Sequence, residues 1–134
     1  MSTAVSRTVK TIVASGAVVA AVAGVGLAGT APASAAHKDG YCDSGEFCLY
    51  YLTGFRGPIF DLYWADNDFS DDRFPGTYIP ADNNTESGKN RDTYTWYLYT
   101  GANRTGYRGT SAPGTQGNFA PTFFDTISSG FWYL

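Results

Sequence analysis

The chain has 134 residues, with 9 basic and 12 acidic side chains and a formal net charge of −3. An acidic balance of this kind has no general attraction for phosphate backbones, so nucleic acid is not an expected partner. The one histidine, His37, falls near an expected processing point, where order is not expected. On that reading no Ser-His-Asp triad, His-Glu-x-x-His zinc site or Cys-His pair can be assembled. Paired carboxylates could in principle cut glycosidic bonds, but most of the acids fall in turn-like segments. The sequence therefore predicts a non-enzyme with no cofactor.

Residues 1–35 read as a secretory signal peptide. Arg7 and Lys10 are the only charges, Thr11 to Ala28 is almost all Ala, Val and Gly, and Ala33-Ser34-Ala35 offers small residues at a cleavage site. A membrane anchor is the competing reading, since an uncharged run of this length nearly spans a bilayer. The Gly/Ala-rich composition and the small-residue end favour cleavage, after Ala35 or Ala36. A secreted, extracellular chain without membrane attachment would remain, expected as a single domain over 36–134 and as a monomer. It keeps 7 of the 9 bases and all 12 acids, for a net charge of −5. It also keeps every Trp, Tyr and Phe. Aromatic and β-branched residues broken by Gly, Asn, Asp and Pro clusters predict an all-β fold.

Cys42 and Cys48 open this part of the chain. In an exported protein the pair is expected as a disulfide; a metal or redox pair fits the spacing poorly. Phe47–Leu52 reads as a first strand and Thr53–Gly57 as a turn in which Gly54 and Gly57 are free to take positive φ. Pro58–Trp64 alternates as a second strand, with Phe60, Leu62 and Trp64 on one face. Asp66–Asp72 is an acidic loop that fails as an EF-hand, because Asp71 and Thr77 stand where Gly and Glu are needed. Thr77–Ile79 is a short third strand between Gly76 and Pro80. Ala81–Arg91 is polar and reads as the longest exposed loop. Thr93–Tyr99 alternates again, and Tyr107–Thr110 is a short strand. Ser111–Asn118 is a loop, Phe119–Asp125 holds one helical turn after Pro121, and Ile127–Leu134 is the closing strand with its aromatic end tucked in. The chain divides into two similar halves, about 41–92 and 93–134.

The halves share an interval. Tyr50 precedes Gly57 by seven positions, and Tyr99 precedes Gly106 by the same number. Cys-x5-Cys, followed by Leu49-Tyr50 and then Gly54-Phe55-Arg56-Gly57, resembles the start of the secreted bacterial peptidase inhibitors of family I36, a group that includes a metalloproteinase inhibitor. The repeated Tyr-x6-Gly is similar to the Greek-key motif of βγ-crystallins, the fold that family adopts. Phe124-Asp125-Thr126-Ile127-Ser128-Ser129 sits where the second key of such domains carries an acid and a Ser pair. Arg104 replaces the usual aromatic of the motif.

The resemblance implies a βγ-crystallin-like double Greek-key sandwich. In each key a hairpin folds over onto its own sheet, with the Gly supplying the backbone angles and the Tyr a flat ring beneath. A last-strand hydroxyl would satisfy the stranded backbone, expected as Ser128 in the second key; in the first, Thr95 is the nearest candidate. The resemblance also implies a proteinase inhibitor that occupies a peptidase cleft, of metallopeptidase or other class, by loop insertion. The candidate inhibitory loop is Asn84, Thr85, Glu86 and Ser87, without the second disulfide that braces such loops elsewhere in the family. The alternative is a non-inhibitory module of crystallin type that binds calcium, envelope polysaccharide or a target-cell surface as a toxin-like antimicrobial. Calcium candidates are Asp92, Asp125 and Ser128, against the plainer reading that these are hydrated turn acids.

Overall fold

The structure is a computed structural model that describes residues 36–134; the expected signal peptide lies outside the described residues. Seven strands form two antiparallel sheets. They are β1 (Phe47–Leu52), β2 (Arg56–Leu62), β3 (Ser87–Asn90), β4 (Trp96–Tyr99), β5 (Arg108–Ser111), β6 (Gln116–Asn118) and β7 (Ser129–Phe131). One sheet has the order β2-β1-β3-β6 and the other β5-β4-β7. The two halves interlock. Strand β6, from the second half, closes the first sheet against β3. In return Asp66, from the first half, forms a single bridge with Gly130 of β7. The fold is all-β, a βγ-crystallin-like pair of Greek keys.

The core lies between the sheets and is built from Phe47, Leu49, Phe60, Leu62, Phe69, Phe74, Trp96, Leu98, Ile127 and Trp132. Alternation along β1 and β2 sends Phe47, Leu49, Phe60 and Leu62 inward, as period-2 patterning requires. Rings fill most of this space: Phe60 packs edge-on against Phe69 with centroids 5.0 Å apart, and Phe47 lies 5.5 Å from Trp96. Few residues thereby bury a large apolar area.

Both hairpins fold over their sheets as the repeated interval implies. Gly57 takes φ +80° and Gly106 φ +78°. Tyr50 and Tyr99 are buried beneath them. Five positions after each Tyr, Phe55 and Arg104 both adopt left-handed backbone, at φ 59° and 63°. Phe55 meets the Tyr50 ring edge-on at 5.7 Å. Arg104, in place of the aromatic, lays its guanidinium 4.1 Å over Phe131 and 4.8 Å over Tyr133.

The serines that brace these hairpins are not the expected ones. Ser87 Oγ donates to Leu52 O at 2.6 Å and accepts from Phe55 N at 3.0 Å. Ser129 Oγ donates to Gly101 O at 2.7 Å and accepts from Arg104 N at 3.5 Å. Leu52 and Gly101 each follow their Tyr by two positions, so the two braces are equivalent. Each brace serine stands opposite its key tyrosine in the ladder, Tyr50 with Ser87 and Tyr99 with Ser129. Ser128 is one residue early and bonds Asn83 Oδ1 at 3.2 Å instead. In a strand a one-residue offset reverses the face, which is why the neighbour cannot substitute. Thr95 plays no part in the first brace.

The two hairpin glycines differ in what surrounds them. A Cβ on Gly57 would meet only ordinary contacts, at 3.4 Å, whereas one on Gly106 would fall 2.2 Å from Thr100 Oγ1 and 3.2 Å from Gly101 N. Thr100 Oγ1 accepts from Tyr107 N at 2.9 Å and is not free to move aside. Gly57→Ala should therefore lower the unfolding free energy by about 1 kcal/mol, the cost of left-handed backbone alone. Gly106→Ala should cost about 2 kcal/mol, the steric conflict being added to the same strain. Urea unfolding of both variants measures the difference; equal losses would contradict the assigned packing.

Elsewhere the boundaries shift. Thr77–Ile79 is not a strand but part of a turn closed by Phe74 N to Ile79 O, 2.9 Å. Ser111–Asn118 contains β6, and Phe119–Asp125 forms a run of turns and no helix. The closing strand is only Ser129–Phe131; Trp132 is buried, but Tyr133 and Leu134 are exposed.

Candidate functional site

The segment expected as an exposed inhibitory loop is interior. Thr85 and Ser87 are fully buried, and Ser87–Asn90 is β3, flanked by β1 and β6. The side chains of Glu86, Ser87 and Asn90 read as solvated but are consumed by backbone groups. Glu86 Oε1 accepts from Thr53 N at 3.1 Å, and Asn90 Nδ2 donates to Tyr94 O and Ser111 O at 2.9 and 2.8 Å. Gly88 is small because the Phe119 ring lies against it, 2.8 Å from where a Cβ would be. Glu86 and Ser87 are held on both edges by β1 and the β6 side, and Thr85 is buried. That leaves only Asn84 of the candidate loop Asn84, Thr85, Glu86 and Ser87 without such a tie, and the four are withdrawn as the inhibitory loop.

An exposed, braced turn lies instead between Phe74 and Pro80. Phe74 is anchored in the core, its ring 5.6 Å from Tyr51 and 6.3 Å from Phe60. Thr77 Oγ1 donates to Phe74 O at 2.8 Å and accepts from Ile79 N at 3.0 Å, and Thr77 N also reaches Phe74 O. An isolated bridge between Arg73 and Pro80 closes the base. At the tip Tyr78 is 90% exposed, the most exposed large apolar side chain among the described residues. The Tyr-Ile pair suggested a strand in sequence; only the hydroxyl of Thr77 reveals the turn.

The calcium candidates separate. Asp92 is buried, accepting from Trp96 Nε1 at 3.0 Å and Thr93 N at 2.7 Å, a structural role that leaves it within the core wall. Asp125, with φ 55°, sits beside Glu86; burial and then the Glu86 charge and hydrogen bond push its carboxyl above the usual range. Ser128 is occupied by Asn83.

The N-terminal strap, residues 37–46, is ordered, contrary to the expectation for His37. His37 Nδ1 accepts from Tyr63 N and Trp64 N at 3.0 and 3.3 Å. Lys38 Nζ bridges Asp66 and Asp72, at 2.6 and 3.0 Å. Burial opposes its charge, but those two carboxylates outweigh it and raise its pKa. Burial and a hydrogen bond to Asp66 push Asp72 up to about 7; in Asp66 burial is outweighed by hydrogen bonds from Asp72 and Lys38, so its pKa is lowered. Asp61, fully buried on β2, accepts from Asp39 N and Gly40 N at 2.9 and 2.6 Å. Burial raises Asp61 to about 6 in spite of those amides. Glu46, just ahead of β1, is also fully buried, and burial followed by the charges of Asp61, Asp43 and Asp39 raises it to about 8 although Asp43 N donates to it. The Cys42–Cys48 disulfide is formed, with Cα atoms 5.7 Å apart. Closing so short a loop stabilises by about 2 kcal/mol in the chain-entropy model.

Solved structures similar to this fold include βγ-crystallin domains. One, described in terms of the evolution of the eye lens βγ-crystallin fold, is 19% identical, covering 66% of this chain and 84% of that one, with a TM-score of 0.56. The N-terminal domain of protein S is 17% identical over 64% of this chain and 92% of its own, with a TM-score of 0.52. A βγ-crystallin from an archaeon is 20% identical over 68% and 100%, with a TM-score of 0.51. At such identities the likeness concerns the fold alone. No curated protein matches the sequence. The family model of peptidase inhibitor family I36 matches residues 35–111, more than half of the chain and the whole of the strap, the first key and the second hairpin. The chain belongs to peptidase inhibitor family I36, built on the βγ-crystallin fold.

Proposed function

We propose that this chain is a secreted inhibitor of an extracellular peptidase, and that the Phe74–Pro80 turn is what it offers to the enzyme. Family membership supports the class of function. The observation that carries the loop assignment is Tyr78, 90% exposed at the tip of a turn whose ends are tied to each other and to the core. A turn already ordered before binding loses little conformational freedom on entering a cleft, and an exposed aromatic is a frequent anchor. Bracing by Thr77 and by the buried Phe74 does here what a second disulfide does in relatives that have one. The occupant fits a peptidase whose primary pocket takes a large apolar side chain.

The test is a panel of thermolysin-type, chymotrypsin-type and subtilisin-type peptidases incubated with the purified protein. Slow or absent turnover of the inhibitor with loss of peptidase activity is expected for at least one. Tyr78→Asp should raise its inhibition constant at least tenfold while leaving the unfolding curve in place. If no member of the panel is slowed, or if Tyr78→Asp inhibits as well as the parent, the loop assignment is wrong. A second reading, a cation-binding module of crystallin type, draws on the adjacent Glu86 and Asp125 carboxyls. Calcium binding abolished by Asp125→Asn, with no peptidase inhibited, would favour it.

A further inference from the structure

The strap carries an acidic cluster that neither reading uses. One carboxylate oxygen from each of Asp39, Asp43 and Glu46 lies within 4.8 Å of the others. The three step inward from solvent: Asp39 is exposed, Asp43 half-buried and Glu46 fully buried. Loop acids often gather without purpose, so their proximity alone decides nothing. The decisive feature is Glu46. Its Oε1 accepts from Asp43 N at 2.8 Å, but its Oε2 is buried with no hydrogen-bond partner. A buried carboxyl oxygen without a hydrogen-bond partner is among the costlier features a fold can hold. Nor does a basic side chain come to its aid: among the described residues, the ion pairs join Lys38 to Asp66 and Asp72 and none engages this trio. Arg91, whose backbone N–H donates to Glu46 O, turns its Nη1 to Cys42 O at 2.5 Å.

The geometry points to a divalent-cation site of calcium type, formed by the carboxylates of Asp39, Asp43 and Glu46 at the foot of β1. Ligand oxygens placed 2.3–2.6 Å from a calcium ion fall within about 5 Å of one another, and these three oxygens lie within 4.8 Å of one another. The donor set is all oxygen. Cys42 and Cys48 are oxidised to the disulfide, and no histidine nitrogen joins the cluster, so the donor set suits a hard cation. Water and backbone carbonyls would complete the shell, and three carboxylates without a full cage suit the weak range of extracellular modules, about 10⁻⁴–10⁻³ M. The trio shares no ligand with the Glu86–Asp125 pair or the Tyr78 turn, although Gly40 of the strap lies against Pro75 of that turn. A bound cation would join the strap, the disulfide loop and β1 at one point. It would thereby hold in place the residues, Asp39 and Gly40, whose amides cover the buried Asp61.

Titration of the purified protein, disulfide formed, with calcium chloride by calorimetry tests this. One site with a Kd of about 0.1–1 mM is expected, together with a rise in Tm of about 5 °C between EDTA and 5 mM calcium. Glu46→Gln and Asp43→Asn, both near-isosteric, should each weaken binding at least tenfold, and Asp125→Asn should leave it unchanged. If Glu46→Gln does not fold, Asp43→Asn and the exposed Asp39→Asn carry the same comparison. Absence of binding up to 10 mM calcium, or binding that disappears in Asp125→Asn and survives in Asp43→Asn, overturns the proposal. Neither result bears on peptidase inhibition, which is read with Tyr78→Asp.

Discussion

Trp96→Ala should remove about 4–5 kcal/mol of unfolding free energy, enough to leave much of the protein unfolded at room temperature. Trp96 is the largest fully buried side chain, and it opens β4 facing Phe47 of β1, so it plugs the space between the two sheets. Truncation to Ala leaves a cavity that neighbours on two separate sheets cannot close together. It also strips a partner from Asp92, which is only 4% exposed and receives Trp96 Nε1 at 3.0 Å. A buried carboxylate losing a donor adds its own penalty to that of the void. Trp96→Phe separates the two contributions: it keeps most of the ring volume and removes the N–H, and should cost about 1–3 kcal/mol. Urea denaturation followed by circular dichroism provides both numbers. A loss below about 1.5 kcal/mol for the alanine variant would mean that the sheets close without this ring.

Much of the framework could be read from the residues because it rests on local rules. Phe47–Leu52 is bounded by a Gly-containing turn on each side and appears as a strand with those limits. The Tyr-x6-Gly interval implied folded hairpins, and Gly57 and Gly106 do take positive φ. What failed was the reading of polar residues. Between Ala81 and Arg91 the side chains are Asp, Asn, Thr, Glu, Ser, Lys and Arg, the composition of a solvated loop. Two of them, Glu86 and Ser87, are committed because a folded-over hairpin strands amides and carbonyls that must be met by side chains. A satisfied interior serine and a wet one look alike in sequence. The aligned hexads Asp82–Ser87 and Phe124–Ser129, each ending in its brace serine, were the available signal. The exposed Tyr78 was missed for the opposite reason, since an aromatic beside Ile suggests a core strand. The trio of Asp39, Asp43 and Glu46 is spread over a strap whose path depends on Asp61 far along the chain, and no spacing rule anticipates that.

Ser87→Ala should cost about 2–4 kcal/mol, far more than a serine in an exposed loop could. The hydroxyl stands at 2.6 Å from Leu52 O and 3.0 Å from Phe55 N, with Phe55 held in left-handed backbone at φ 59°. Its removal leaves a carbonyl and an amide together without a partner, each worth about 1–3 kcal/mol where water cannot enter. The hairpin that covers Tyr50 would lose the tie that keeps it folded over. Ser129→Ala should cost less, because its second contact, to Arg104 N, is long at 3.5 Å, and because Arg104 is also held by Phe131 and Tyr133. Ser128→Ala, which gives up only the 3.2 Å contact to Asn83, should cost about 1 kcal/mol or less. The order Ser87 > Ser129 > Ser128, measured by urea unfolding, distinguishes a brace from a loop. Were Ser87 part of an inhibitory segment, its truncation would alter peptidase inhibition and leave stability untouched. The buried geometry demands the reverse: at concentrations where Ser87→Ala remains folded, its inhibition should equal that of the parent.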